Sequence, residues 1–366
     1  APLAAQLSVD FLSTRDFAMR PRLWLSLMSR NRGTISFAPP FGYELCTRRL
    51  RHDDKPAYDL SAWRVAGVGA ETIRVDVLDA FIEKMAAFGF DGQSFVASYG
   101  MAECSLAVSF ARIEQGIVID EVDAKQLSEQ QVAGPSAGTP GTGTRTKKLV
   151  NCGPPLPGHE IQIRSESGEV LPDRQCGTIH VRGPSVMTGY LGDSEATASV
   201  LSSDGWLDTG DIGYLVNGTL VITGREKDMI IINGRNIWPQ DLEFFTEQQP
   251  EIRPGDASAI SIPADDGSET AVLVVQFRET DTGKRREFTD RITSIVREEL
   301  GIDCTIELVS AHTLPRTSSG KLSRAGTRRD YLKRQSAQKL LRLDPVPEER
   351  SNRDGTSDLR FADNTR

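Results

Sequence analysis

The stretch Asp204–Glu243, DGWLDTGDIGYLVNGTLVITGREKDMIIINGRNIWPQDLE, decides how the rest of the chain is read. At its centre Asn217-Gly218 separates two apolar runs, Ile212–Val216 and Thr219–Thr223. Asn-Gly between such runs predicts a tight hairpin, because both central positions of a type I′ turn need φ > 0. An unbroken two-residue turn then sets Asp211 against Gly224 and Gly210 against Arg225. A carboxylate and a guanidinium reach the same end of one hairpin. A carboxylate accepting from vicinal hydroxyls beside a bidentate donor suits a ribose. A surface Asp–Arg pair, worth about 0–1 kcal/mol, is the plainer alternative, and the hairpin alone leaves both open.

The bulk numbers bound the answer. A chain of 366 residues can hold two or three domains with sizeable cores. Hydrophobic content of 38% and charged content of 26% describe an ordinary globular protein. A net charge of −8 argues against a general nucleic-acid binder, which needs a basic surface. The five cysteines (Cys46, Cys104, Cys152, Cys176, Cys304) are scattered and form no C-x-x-C pair. Reduced thiols in a cytoplasmic protein are the expectation. No run approaches the roughly 18 apolar residues of a membrane span, and Ala1–Leu12 shows no basic leader.

Residues 1–110 alternate short apolar runs with helical patterns, as in an α/β layer. Ser8–Leu12, Thr34–Ala38, Arg64–Val68 and Phe95–Ser98 are predicted strands. Val77, Leu78, Phe81, Ile82, Met85 and Phe88 recur at helical spacing, and Gly89 ends that helix. Residues 111–224 carry short strands at Gly116–Ile119, Glu160–Ile163, Thr178–Val181 and Leu220–Ile222, broken by Gly and Pro, which predicts a small barrel-like subdomain. Ala133–Lys148, rich in Gly, Thr, Pro and Ser, is expected to be an exposed loop. After Arg225 the pattern restarts, with strands at Ser258–Ile262, Ala271–Phe277 and Thr305–Val309 and a helix over Asp290–Leu300 closed by Gly301. A smaller α+β domain is predicted over 228–334, with a disordered tail over 335–366.

The motifs Thr209-Gly210-Asp211, Gly224-Arg225-Glu226-Lys227-Asp228-Met229-Ile230 and Ser98-Tyr99-Gly100-Met101-Ala102-Glu103 resemble those of the adenylate-forming superfamily of acyl-CoA synthetases, peptide-synthetase adenylation domains and luciferases. Gly234–Glu243 is similar to the GRNxYPQDIE of its fatty-acyl-AMP ligase branch, with Trp238 where that branch has Tyr. The resemblance implies an α/β fold. A parallel layer (1–110) and the β-rich subdomain (111–224, with a branch-specific insertion) would form the large domain. A hinge at 225–227 would join it to a mobile α+β lid. It also implies that adenine lies between Gly69-Ala70-Glu71 and Ser98-Tyr99-Gly100-Met101. Asp211 and Arg225 would hold the ribose and Glu103 a Mg²⁺ ion. Phe37, Pro40, Phe41 and Gly42 would wall an acyl pocket, although core packing accounts for the same residues.

Leu314–Arg324 places Gly320-Lys321 near serines, but Pro315 occupies the position where a phosphate-loop motif needs its first glycine. The segment resembles the family's PxTxxGK loop, which implies that Lys321 enters the active site. The implied chemistry is ATP-dependent activation of a medium- or long-chain fatty acid to an acyl-adenylate, with release of pyrophosphate. The acyl group would pass to an acyl carrier protein or to a polyketide or peptide synthase. An acyl-CoA synthetase and a binding module without turnover are the rival readings. The family's upstream Ser/Thr/Gly-rich phosphate loop does not occur in residues 1–100, so the expectation is a carboxyl-terminal piece that is inactive alone.

Overall fold

The computed structural model of the chain describes residues 4–50, 58–136, 145–232, 234–263, 269–317 and 320–343. The first part opens with α1 (Thr14–Met19) and α2 (Arg22–Arg30). It continues through β1 (Ile35–Ala38), α3 (Pro40–Arg49), β2 (Val65–Val68), α4 (Val75–Met85), β3 (Phe95–Tyr99) and β4 (Ser109–Phe110). The sheet runs in the order β1-β2-β3-β4, with the first three strands parallel and β4 antiparallel. All four residues of β2 are buried, as a central parallel strand covered on both faces requires. Val77, Leu78, Phe81 and Met85 are the buried stripe of α4, and Gly89 closes the following turn at φ 81°. Ser8–Leu12 forms no strand. The free edge of β1 is left unpaired by it among the described residues.

An aromatic cluster fills the core beneath this sheet. Tyr43 lies edge-on to Phe81 and to Phe95, with ring centroids 5.0 Å apart in each case. The Tyr43 hydroxyl donates to the Gly67 carbonyl at 2.9 Å, which satisfies a polar tip sunk in an apolar core. Gly67 also makes room for a side chain of the neighbouring strand. A Cβ there would fall 2.0 Å from the Phe37 ring, so the aromatic side chain of β1 lies directly on the backbone of β2.

The β-rich stretch contains β5 (Ile119–Asp123), α5 (Ala124–Gln130), β6 (Thr146–Val150), β7 (Glu160–Arg164), β8 (Gly177–Arg182), α6 (Ser194–Val200), β9 (Leu207–Val216) and β10 (Thr219–Arg225). The expected barrel does not close. β10-β9-β8-β7 form an open antiparallel sheet, and β5-β6 form a separate ribbon. Where a strand was predicted over Gly116–Ile119, β5 begins only at its last residue. Positions 137–144 of the predicted Ala133–Lys148 loop lie outside the described residues; its final positions are in β6.

The C-terminal part has its own core, built from β11 (Ile230–Ile232), β12 (Arg235–Ile237), α7 (Pro239–Glu247), β13 (Ala257–Pro263), β14 (Glu269–Gln276), α8 (Thr282–Leu300) and β15 (Cys304–Val309). Asp281 caps α8 by accepting the Lys284 N–H, and Gly301 ends it in the left-handed region. A last helix, α9 (Arg324–Leu343), continues through positions where a tail was expected from 335; residues 344–366 lie outside the described residues. No described helix is long and apolar enough to cross a membrane.

Candidate active site

The β9–β10 turn forms as the sequence predicts, with Asn217 and Gly218 at φ 51° and 72°. The register at its open end does not. A bulge between Ile222 and Gly224 shifts the pairing by one residue, so Arg225 rather than Gly224 opposes Asp211. One unpaired residue re-aims the side chains beyond it, a common device beside binding sites. Arg225 Nε consequently donates to Asp211 Oδ1 at 2.9 Å. The Asp211 side chain is 7% exposed and that of Arg225 51%, so the pair has a dry end and a wet end. Burial pushes the Asp211 carboxyl above its usual range, while the Tyr99 hydroxyl and the Arg225 guanidinium oppose that rise.

Tyr99, at the carboxyl end of β3, donates its hydroxyl to Asp211 Oδ2 at 2.7 Å. The strand and the hairpin thus share one carboxylate. Beside Tyr99, Ser98 Oγ donates to the Val68 carbonyl at 3.2 Å, and a Cβ on Gly69 would lie 2.4 Å from the Ser98 carbonyl oxygen. Glycine is what lets these two strand ends touch. Gly100 is equally constrained, since a Cβ would fall 1.8 Å from the Leu106 carbonyl oxygen, and Met101 packs against the apolar core under β8. Ala70 is held at φ 68°, a conformation that side-chain-bearing residues rarely adopt. Glu71 turns to α3, where its carboxylate accepts the Phe41 N–H at 3.2 Å. It serves one of the orphan donors of a helix whose N-cap, Pro39, offers no side-chain acceptor. Burial raises the Glu71 carboxyl, against the pull of Phe41, Lys321, Arg316 and Arg74.

Glu103 sits in a short 3₁₀ turn, Ala102–Cys104, and its Oε1 accepts the Tyr190 hydroxyl at 2.9 Å. Around it no described cluster of three or more acidic, His or Cys side chains would cage a metal. A single carboxylate fits a Mg²⁺ ion that takes its remaining ligands from phosphates and water.

Lys321 arrives from the other end of the chain. Its Nζ donates to the Ala70 carbonyl at 2.6 Å, bridging 251 positions of sequence. Its loop is a small hairpin: Thr317 N–H donates to the Lys321 carbonyl, and Gly320 N–H to the Thr317 carbonyl. Arg316 spans the loop, donating to Gly320 O and Gly255 O, each at 2.9 Å. Ser318 and Ser319 lie outside the described residues. At the loop's far end Arg324 forks onto Glu243 and reaches Asp228, just past the 225–227 stretch.

The acyl-pocket candidates divide. Pro40 and Gly42 are buried at the start of α3, Gly42 facing Ala38 and Phe17. Phe37 is 54% exposed, and Phe41 lies beside Glu71. Contacts join Lys321, Ala70, Gly69, Ser98, Tyr99, Asp211 and Arg225 into one patch, with Glu71 and Phe41 paired beside it; the Glu103 side chain bonds instead to Tyr190. Sequence reasoning missed Tyr190, Arg74 and Glu247 as neighbours of these residues. Only Tyr190 had a local signal, within Gly189-Tyr190.

The sequence pattern of the AMP-binding enzymes matches residues 1–191. The chain belongs to that family. This member of the AMP-binding family is 45% identical to a putative acyl-CoA synthetase of Caulobacter vibrioides, over 91% of this chain and 58% of the relative. It is 33% identical to a medium-chain-fatty-acid–[acyl-carrier-protein] ligase of Moorena producens, over 90% of this chain and 57% of the relative. A solved structure from a study of fatty acyl-adenylate ligases of E. coli and L. pneumophila matches with TM-score 0.84 and 47% identity, over 92% of this chain and 59% of that one. The chain thus spans somewhat under three-fifths of the length of these relatives.

Proposed function

We propose that the protein is an acid–AMP ligase that activates a medium- or long-chain fatty acid with ATP and passes the acyl group to an acyl carrier protein. The observation that carries this is the continuous run of contacts from Lys321 through Ala70, Gly69 and Ser98 to Tyr99, Asp211 and Arg225. Four segments of the chain meet at the carboxyl ends of parallel strands, where open α/β sheets bind ligands.

In this reading Asp211 and Arg225 hold the ribose hydroxyls, one accepting and one donating. Gly69 and Ala70 let the adenine ring approach the backbone, and Tyr99 borders it. Glu103 holds the Mg²⁺ ion that screens the phosphates. The fatty-acid carboxylate attacks the α-phosphorus in line, so the protein contributes position and charge rather than covalent chemistry. The Lys321 ammonium neutralises charge shared between that carboxylate and the α-phosphate as pyrophosphate departs. Phe37, Pro40, Phe41 and Gly42 border the acyl chain. We place a hinge at 225–227 between a large domain and a lid over 228–334, because the cores on either side are separate.

The test is acyl-adenylate formation and ATP–pyrophosphate exchange with a fatty-acid panel, offering coenzyme A and holo-acyl carrier protein as acceptors. Carrier loading without thioester formation on coenzyme A supports the ligase. The 45% identity to a putative acyl-CoA synthetase favours the second reading, and efficient loading of coenzyme A would establish it.

A further inference from the structure

The Ala70–Asp76 stretch does more than border the cleft. Alternate positions along it face the C-terminal part. The Ala70 carbonyl accepts from Lys321, Thr72 Oγ1 accepts from Gln240 Nε2 at 3.5 Å, and Arg74 Nη1 donates to Glu247 Oε2 at the end of α7. Of these, the Arg74 contact is the most deeply set. The Glu247 side chain is 6% exposed and that of Arg74 22%. The guanidinium is oriented from its own side by Asp76, whose two oxygens accept from Nε at 3.2 Å and Nη2 at 2.7 Å. It also lies over the Phe244 ring, 5.5 Å from the centroid. A planar fork held on three sides defines an orientation, which a flexible ammonium would not.

From Glu247 the contacts continue to the lysine loop. Glu247 Oε1 accepts the Gly255 N–H at 2.6 Å, the Gly255 carbonyl accepts from Arg316, and Arg316 donates to the Gly320 carbonyl beside Lys321. A hydrogen-bonded path therefore runs from Arg74, on the cleft wall, to the residue before Lys321. Other contacts across the junction, Lys147 with Asp241, Arg145 with Glu299 and Arg235 with Glu129, do not enter this path.

We propose that Arg74 is a positioning residue: by gripping Glu247 it docks the C-terminal part on the Ala70–Asp76 stretch in the register that delivers Lys321 to the cleft. The catalytic role of Lys321 rests on the adenylate-forming reading above; the docking does not. Arg74 touches no reacting atom. Its loss leaves the ribose pair in place and cuts the link that ties the lysine loop's bracing to the Ala70–Asp76 stretch.

Amide hydrogen exchange separates the two claims, measured on the full chain as wild type, Arg74→Ala, Glu247→Ala and the double variant. In either single variant the Gly255, Thr317 and Gly320 amides should exchange at least tenfold faster, while β2 and β3 amides keep their protection. The double variant should be no faster than the singles. Adenylate formation should fall about 10- to 100-fold in kcat, with KM for ATP changed less than about threefold, because ribose and adenine contacts survive. Arg74→Lys, which keeps the charge but not the fork, should fall between. If Arg74→Ala melts the whole chain, Arg74→Lys carries the test, and faster exchange confined to the same three amides is the supporting result. Unchanged exchange at those amides in a folded variant overturns the docking role. A wild type that makes no adenylate but shows the exchange response leaves the docking standing and removes the enzymatic reading.

Discussion

Two segments bring charge to the cleft, and they do it by opposite means. The β9–β10 hairpin sets Asp211 against Arg225 through its own backbone, by a two-residue turn, a ladder and one bulge, and Tyr99 holds the carboxylate from β3. The Lys321 loop has no such internal fixity of position. It is braced by Arg316 and Arg324, but its place over Ala70 depends on how the C-terminal part is docked. The hairpin is prepared in advance. The lysine is delivered. That difference suits a reaction in which one group binds the nucleotide and another must arrive with the charge of the transition state.

Removing the delivered group should have the largest effect. Lys321→Ala is expected to lower adenylate formation by about 10²–10³-fold with an unchanged melting curve, since its partner is the carbonyl of an exposed residue, Ala70, and its loss leaves nothing buried unpaired. Measuring turnover and Tm on the same preparation checks both halves. Breaking the prepared group should do the reverse. Asp211→Ala strands the Tyr99 hydroxyl and one side of Arg225, so it should lose about 1–3 kcal/mol of stability as well as nucleotide affinity, read by denaturant melts and by ATP titration.

A pH titration sharpens the comparison further. Burial pushes the Glu247 carboxyl up to about 8; Arg74 and the Gly255 N–H pull against it, and Glu243 and Glu44 add to the rise. A carboxyl whose folded-state pKa is raised stabilises the fold fully only below its ordinary value of 4.5, and that contribution is lost as pH climbs from there through about 8. The protection factor at Gly255 is expected to fall several-fold between pH 6.5 and 9, and to stay flat in Glu247→Gln. The hairpin should not follow it. The smallest effect belongs to the exposed half of the prepared pair: Arg225→Ala should change stability by less than about 1 kcal/mol while raising KM for ATP.

Legibility followed the range of the interaction. The turn at Asn217-Gly218, the buried stripe of α4 and the stop at Gly89 depend on neighbours a few residues apart, and they were readable. The bulge was not, because one extra residue among Val221, Ile222 and Thr223 leaves no trace in composition, yet it decides which residue meets Asp211. Ser8–Leu12 has strand composition but joins no described sheet, and the short strands of residues 119–225 have barrel-like spacing without barrel closure. Both depend on partners that only the assembled sheet supplies.

By itself the sequence determined the family, through long motifs, and the chemical types at the cleft: an acid and an arginine on one hairpin, a tyrosine after a strand, a lysine on a Gly/Ser loop. Tertiary structure alone decided how these are held. It set Glu71 on the start of α3, gave the Tyr99 hydroxyl to Asp211, and joined Arg74 to Glu247 across 173 positions. The physical reason is that a residue's type fixes what it can donate or accept, while its partner depends on which segments the cores bring within about 3 Å.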